Sequence, residues 1–148
     1  MPIYQAFVAY CKNFSEKLNI CGISLGAIIA LNYAIEFPER VQSIVLIGAQ
    51  CKVPKGLMML QNFIFKLLPK SFFAKMGLPK KNVLQLTNSM VDLDLSPRLE
   101  DILSPTLLIC GGKDNANKKS ANNLAQMIPN AKVSIIDNAG HVLNTEAP

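Results

Sequence analysis

Short apolar runs with the composition of β-strands alternate with helical segments in this chain, and that alternation restricts the folds open to it. Four runs are rich in branched apolar residues: 18–21, 41–47, 106–110 and 132–136. The stretches between and before them have helical spacing of apolar residues. An order of helix, strand, helix and strand is typical of a parallel sheet with helical crossovers. The sequence therefore predicts an α/β fold built on a mostly parallel sheet.

Three helices are predicted around these strands from the spacing of apolar residues. The first spans 2–18, where apolar residues recur at three- and four-residue steps and form one face. The second spans 27–37, is apolar on nearly every side and ends before Pro38. A helix of that kind is normally buried. The third spans 118–128 and precedes the last strand.

The segment from residue 50 to residue 100 departs from this alternation. Helices are predicted over 57–68 and 84–91, and a helical turn over 98–103. The strand–helix order then resumes at Thr106, and no linker or internal repeat separates the parts. We therefore interpret the chain as one domain of 148 residues with an insertion in its middle.

The positive charge of the chain is local. Between Cys51 and Lys81 there are seven lysines and no acidic residue, so the net charge of +5 leaves −2 for the rest of the chain. Arginine is scarce, with Arg40 and Arg98 alone, and no nucleic-acid-binding motif accompanies the lysines. We therefore expect no nucleic-acid partner.

The cysteines exclude a metal-bound or disulfide-built fold. Cys11, Cys21, Cys51 and Cys110 form no CxxC pair, and with one histidine they cannot build a zinc site of the usual spacing. We expect reduced, mostly buried thiols and no metal. The N-terminus lacks a signal-peptide pattern, and no uncharged apolar run approaches the about 18 residues of a membrane span. These features predict a cytoplasmic protein with no membrane span.

Three polar residues follow three of the predicted strands. Ser24, Asp114 and His141 each come just after a strand ends. Because the carboxyl ends of parallel strands lie at one edge of a sheet, these side chains can meet there. A crevice at that edge is the usual ligand site of open α/β sheets.

The residues around Ser24 suit a serine nucleophile. A serine on a sharp strand-to-helix turn has strained backbone. We expect both Gly22 and Gly26 to be required there, because a side chain at either position would clash within the turn. The backbone N–H of Leu25 and the positive end of the helix that follows favour a developing oxyanion. His141 is the one available base, and Asp114 can fix its tautomer and stabilise its cation.

Other interpretations of these residues are weaker. A dinucleotide-binding loop needs a glycine where Ser24 stands and an acid at the end of the next strand, which ends instead with Gly48-Ala49. A phosphate-binding P-loop is excluded because no Gly-Lys-Ser/Thr follows the glycines. Among competing acids, Asp137 is too close to His141 in sequence, and Asp92 and Asp94 lie in the insertion, so Asp114 is preferred.

Several motifs in this order resemble those of the α/β-hydrolase superfamily. They are the elbow-like run Asn19-Ile20-Cys21-Gly22-Ile23-Ser24-Leu25-Gly26, the step Phe37-Pro38-Glu39-Arg40-Val41, the acid turn Gly112-Lys113-Asp114, the histidine turn Ala139-Gly140-His141 and the ending Glu146-Ala147-Pro148. The order Ser, Asp, His is also that of the superfamily. The resemblance covers residues 1–50 and 100–148.

This resemblance implies a partial α/β-hydrolase fold over residues 1–148. The superfamily's fold is a three-layer sandwich with a mostly parallel sheet, and residues 50–100 take the place of its helical cap, or lid. The strands that normally precede the elbow, and the last helix, are expected to be missing. The implied site is a triad of Ser24, Asp114 and His141, with Leu25 N–H as one oxyanion donor and no cofactor.

The implied activity is hydrolysis of an ester-type or related acyl substrate by a Ser-His-Asp triad. The alternative is an inactive fragment or an interaction subunit, completed by pairing along the exposed edge of the elbow strand with a second copy or another chain. The apolar residues of 57–68 suit a small-molecule substrate with an apolar acyl portion. The same residues also suit a helix that packs on the sheet domain while its lysines are solvated, and both interpretations stay open.

Overall fold

The computed structural model describes residues 1–75 and 77–147 of the chain. The four strands are β1 (Leu18–Ile23), β2 (Val41–Ile47), β3 (Thr106–Gly111) and β4 (Ala131–Ile136). The helices are α1 (Pro2–Cys11), α2 (Leu25–Glu36), α3 (Lys55–Leu67), α4 (Lys70–Lys75), α5 (Lys80–Asn88), α6 (Asn115–Met127) and α7 (Leu143–Glu146). Short 3-10 helices cover Pro38–Arg40 and Ser96–Asp101.

The four strands form one parallel sheet in the order β1-β2-β3-β4. The register places Ile44 beside Thr106 and Leu46 beside Leu108, so the strand ends are nearly level. Each neighbouring pair of strands is parallel, which confirms the predicted α/β fold with a parallel sheet. In the part of the chain that the structure describes, β1 and β4 are the two outer strands.

The two faces of the sheet differ in burial. Ile44, Leu46, Leu108 and Cys110 are essentially inaccessible to solvent and lie on one face, because residues two apart in a strand share a face. On the opposite face Leu107 is partly exposed. The core of the sheet domain therefore lies on the first face, against which buried residues of α2 and α6 pack.

The helix α2 is buried along most of its length, as its apolar sequence predicts. By contrast, the prediction that α1 reaches residue 18 is wrong. The helix ends at Cys11, and Leu18 begins β1, where it pairs with Val41. Arg40 donates hydrogen bonds to the carbonyls of Cys11 and Phe14, and these groups near the end of α1 are thereby satisfied without further helix.

The chain divides into two compact units, of which the first comprises residues 1–2 and 52–94. It contains α3, α4 and α5, with Phe73 fully buried and with Lys80 Nζ donating to the carbonyls of Lys66 and Leu68 at the end of α3. One side of α3 is apolar and exposed: Leu57, Met59, Leu60, Phe63, Ile64 and Leu67. Neither α4 nor the ion pairs Lys52–Asp94 and Lys55–Asp92 was predicted.

The second unit comprises residues 3–51 and 95–147 and holds the sheet. Cys11, Cys21 and Cys110 are free thiols. The expectation that the cysteines are mostly buried is wrong for Cys21, which is exposed on the outer strand β1, and Cys51 is intermediate. Over the described residues, every helix is too short or too polar to span a membrane.

Candidate active site

Backbone hydrogen bonds continue the ladder of the sheet just beyond the strand ends. Ser24 N–H donates to Ile47 C=O at 2.8 Å, and Gly48 N–H donates to Ile109 C=O at 2.9 Å. Gly112 N–H likewise donates to the carbonyl of Ile136, at 2.8 Å. These bonds tie the loops after β1, β2 and β3 to one edge, and Lys113 N–H ties the loop after β4 to it by donating to Ala139 C=O at 2.9 Å. Ser24, Asp114 and His141 are thereby brought together.

Ser24 occupies a strained turn between β1 and α2. Its φ of 52° and ψ of −112° lie in a region that residues with a side chain rarely adopt, as the sharp turn predicts. A Cβ on Gly22 would lie 2.3 Å from Gly26 C=O, so that position requires glycine. A Cβ on Gly26 would meet nothing within 4 Å. The steric reason predicted for Gly26 is therefore wrong, because its backbone, rather than its missing side chain, makes the close contact.

The ring of His141 connects the serine to the aspartate. Its Nε2 lies 3.1 Å from Ser24 Oγ, and its Nδ1 lies 2.8 Å from Asp114 Oδ2. A carboxylate beside Nδ1 favours the tautomer with the proton on that nitrogen, because two lone pairs would otherwise face each other. The Nε2 atom then keeps a free lone pair toward Ser24 and can accept its hydroxyl proton.

The carboxylate of Asp114 caps α6 as well as meeting His141. Asn117 N–H donates to Oδ1 at 3.3 Å, and Asn117 Nδ2 donates to Oδ2 at 2.7 Å. Burial by itself raises the pKa of Asp114, but the hydrogen bonds from Asn117 and His141 outweigh burial, and the net pKa lies below the ordinary carboxyl value. Asp114 is therefore ionised at neutral pH.

The competing acids lie elsewhere in the structure. Asp92 pairs with Lys55, and Asp94 pairs with Lys52. Asp114 is the carboxylate that contacts the imidazole among the described residues.

The loop that carries His141 is held by contacts on both sides. Glu146 accepts hydrogen bonds from Gly140 N–H at 2.6 Å and from Val142 N–H at 3.2 Å, so its carboxylate brackets His141. On the other side, Gly48 has a φ of 59°, and a Cβ there would lie 2.9 Å from the ring atom Cε1 of His141. Gly111 lies against this loop too, since its Cβ would come within 2.1 Å of Gly140 C=O.

Sequence comparisons connect these elements to known proteins. The family model for the α/β-hydrolase fold matches residues 15–72. A putative 2-succinyl-6-hydroxy-2,4-cyclohexadiene-1-carboxylate synthase of Bacillus subtilis (strain 168) is 25% identical over 90% of the chain and 62% of its own length. Lipase 1 of Psychrobacter immobilis is 25% identical over 92% of the chain and 53% of its own length.

A solved structure agrees with these matches in fold. MGS-M2, an α/β-hydrolase enzyme from a Medee basin deep-sea metagenome library, superposes with a TM-score of 0.81 at 22% identity, over 98% of this chain and 66% of its own. The structure has the α/β-hydrolase fold, and residues 15–72 match the model of that family. The fold expected from the motif resemblance is thereby confirmed, and the chain spans about half to three-fifths of the length of the two curated relatives named above.

Two further features of this candidate site concern charge and ligands. Leu25 is the first residue of α2, so its backbone N–H is among those at the positive end of that helix. Among residues 1–75 and 77–147, no three His, Cys, Asp or Glu side chains cluster closely enough to hold a metal ion.

Four residues around the site were not predicted from the sequence: Gln50, Asn117, Glu146 and, for its contact with the His141 ring, Gly48. The contact of Asn117 was detectable in part, because the backbone N–H three positions after an N-cap aspartate commonly donates to its carboxylate. Gln50 lies in a loop and Glu146 in the four-residue helix α7, where no periodic pattern marks a role.

Proposed function

We propose that this chain is a serine hydrolase acting on an ester-type or related acyl substrate. Ser24 is the nucleophile, His141 the general base and Asp114 the group that orients His141. The observation that carries the proposal is the pair of contacts at His141, 3.1 Å from Nε2 to Ser24 Oγ and 2.8 Å from Nδ1 to Asp114 Oδ2. The names of its curated relatives, a lipase and a synthase, fit more than one reaction on this fold.

The proposed reaction proceeds in two stages. Ser24 Oγ attacks the acyl carbon while its proton passes to His141 Nε2, and Asp114 stabilises the imidazolium. Leu25 N–H and the α2 N-terminus stabilise the negative oxygen that forms. His141 then returns the proton to the leaving alcohol, and a water deacylates Ser24 by the same route.

The test is hydrolysis of p-nitrophenyl acetate by the wild-type chain and by Ser24→Ala, His141→Ala and Ser15→Ala. We expect release of p-nitrophenol by the wild type and by Ser15→Ala, an exposed serine in the same unit. We expect the other two variants to lose at least about 10³-fold, as triad members do in serine proteases. Turnover that survives Ser24→Ala would contradict the proposal.

The exposed apolar side of α3 supports a narrower proposal, that the substrate carries an apolar acyl portion. Six large apolar side chains on this helix are exposed to solvent, more than a helix surface normally leaves uncovered. A series of p-nitrophenyl esters of increasing chain length tests it. We expect kcat/KM to rise as the acyl chain becomes longer than acetate. Equal kcat/KM values across the series would contradict the proposal of an apolar acyl portion.

The position of β1 supports a second candidate, an interaction subunit that pairs along this strand. In the described sheet β1 pairs with β2 alone, and an unpaired strand edge can accept another strand. Sizing chromatography over a range of concentrations tests this candidate. A dimer or larger species is expected from pairing, whereas a monomer at every concentration would contradict it.

A further inference from the structure

We propose that Asn117, oriented by Gln50, is a positioning residue that holds the Asp114 carboxylate against His141. The proposal rests on the proposed function, because it assigns Asn117 a role in the same reaction. Asn117 does not contact Ser24 in the hydrogen bonds of the site; it acts through Asp114.

The contacts of Asn117 account for both oxygens of Asp114. Its backbone N–H donates to Oδ1 at 3.3 Å, and its side-chain Nδ2 donates to Oδ2 at 2.7 Å. The Oδ2 atom also accepts from His141 Nδ1 at 2.8 Å. A carboxylate that accepts hydrogen bonds at both oxygens cannot rotate away from the imidazole. Asn117 is itself buried, at 6% exposure.

Asp114 and Gln50 together favour one orientation of the Asn117 amide. Gln50 Nε2 donates to Asn117 Oδ1 at 2.8 Å, across 67 positions of sequence. If the Asn117 amide were reversed, its oxygen would face Asp114 Oδ2 and its NH₂ group would face the NH₂ group of Gln50. Both contacts would then be repulsive, so the two neighbours select one orientation.

This orientation has a consequence for the proton on His141. Asn117 Nδ2 also lies 3.2 Å from His141 Nδ1. At this distance its N–H could donate to Nδ1 in the other tautomer, which carries the proton on Nε2 and is unable to accept a proton from Ser24. Because Asp114 Oδ2 is closer and charged, Asn117 and His141 both donate to it. Two donors on one oxygen make that oxygen a weaker base and leave the proton on Nδ1.

The other titratable groups near Asp114 do not compete for these contacts. Cys110 Sγ donates to the Asp114 backbone carbonyl at 3.6 Å, and the pKa of its thiol is raised by burial and then by the Asp114 charge. Lys118 Nζ donates to Gly112 C=O at 3.0 Å. Within the described part of the chain, Asn117 is therefore the side chain besides His141 that donates to the carboxylate oxygens.

The inferred role also explains what β2 contributes to the site. Ser24, Asp114 and His141 follow β1, β3 and β4, and Gln50 follows β2. All four strand ends thus supply a side chain to one connected network.

Three substitutions test the inference. Asn117→Asp keeps the shape and the acceptor for Gln50 but places an oxygen against Asp114 Oδ2. Gln50→Glu offers an acceptor where Asn117 needs a donor, so it should turn the Asn117 amide around. Asn122→Asp, at an exposed position on α6, makes the same charge change as Asn117→Asp and serves as the control.

The first readout is independent of activity. The chain has one histidine, so the ¹⁵N NMR spectrum of the imidazole reports His141 alone. Both substitutions place an oxygen where Asn117 Nδ2 lies, 3.2 Å from His141 Nδ1, so we expect the Nδ1–H tautomer in all four proteins. We expect the Nδ1–H signal to be the same in the wild type and in Asn122→Asp, and to shift in Asn117→Asp and Gln50→Glu because the Asp114 carboxylate is displaced from the ring. The second readout is p-nitrophenyl ester hydrolysis, in which both substitutions should lower kcat about 10- to 100-fold with KM nearly unchanged.

The outcomes separate this inference from the proposed function. An unchanged Nδ1–H signal and unchanged kcat in folded Asn117→Asp and Gln50→Glu would overturn the positioning role, as would an Nε2–H tautomer in the wild type. A shifted Nδ1–H signal in these variants of a chain that hydrolyses nothing would support the positioning contacts and contradict the proposed function. If Asn117→Asp fails to fold, Gln50→Glu tests the positioning role instead, because Gln50 is partly exposed and its substitution disturbs the core less.

Discussion

At the scale of single residues, the ring of His141 is positioned by the absence of a side chain on Gly48 as well as by hydrogen bonds. Gly48 lies at the end of β2 with a φ of 59°, and the space that its Cβ would occupy is taken by His141 Cε1 and Nδ1. The same residue donates its N–H to Ile109, so it cannot move away without loosening the ladder between β2 and β3. The backbone of Gly48 therefore limits the movement of the imidazole on this side.

Gly48→Ala should reduce hydrolysis more than it reduces stability. The positive φ costs an alanine about 1–2 kcal/mol, and displacement of the imidazole should slow hydrolysis by up to about 100-fold. Gly77→Ala is the matched control, since Gly77 has a φ of 71° but open space at its Cβ. Denaturant unfolding and ester hydrolysis should show a similar stability loss in both variants and an activity loss in Gly48→Ala alone; equal activity in the two would contradict this.

The lowered pKa of Asp114 predicts a pH dependence of stability. A carboxyl whose pKa is lower in the folded than in the unfolded chain stabilises the fold above the unfolded value, and that stabilisation is lost as pH falls through the folded value. The free energy of unfolding of the wild type, minus that of Asp114→Asn, should therefore shrink as pH falls below about 4. Urea titrations at several pH values measure this difference, and a difference that grows on acidification would show the sign to be wrong.

At the scale of secondary-structure elements, the turn from β1 to α2 depends on one of its two glycines. Gly22 lies where a Cβ would collide with the backbone of Gly26 and Ala27, at 2.3 to 2.6 Å. Gly26 lies in the first turn of α2 with room for a side chain. The two glycines therefore differ in their structural requirement although they flank Ser24 symmetrically.

Substitution by alanine separates the two positions. Gly22→Ala forces backbone to move and should cost about 1–3 kcal/mol, the usual range for overpacking. Gly26→Ala should be neutral or stabilise α2 by up to about 1 kcal/mol, because alanine favours helix over glycine. Equilibrium unfolding in urea gives both values, and equal losses in the two variants would disprove the distinction.

Helices and strands were predictable from the sequence where proline or glycine marks their ends. The prediction for β2 is confirmed at both ends, since Pro38 and Gly48 bracket a run of branched residues. The end of α1 was not predictable from spacing, because Phe14 and Leu18 continue the helical period while Arg40, distant in sequence, bonds to carbonyls at the helix end. The helices α4 and α7 have six and four residues, too few for periodicity to reveal them.

At the scale of the whole molecule, a parallel sheet turns distant residues into neighbours. Ser24 and His141 are 117 positions apart, yet their side chains are within hydrogen-bond distance because both follow strands of one sheet. That rule let the sequence predict which three residues lie at this edge. It could not predict Gln50 or Asn117, because their contact depends on side-chain directions in a loop and a helix.

The central claim is that Ser24 is a nucleophile activated by His141, and covalent labelling tests it most directly. The chain is treated with a fluorophosphonate, and the modified residue is located by intact-mass and peptide mass spectrometry. The account predicts one adduct, on Ser24, that is absent from Ser24→Ala and strongly slowed in His141→Ala. A folded wild-type chain that remains unlabelled, or that carries the adduct on another residue, would contradict it.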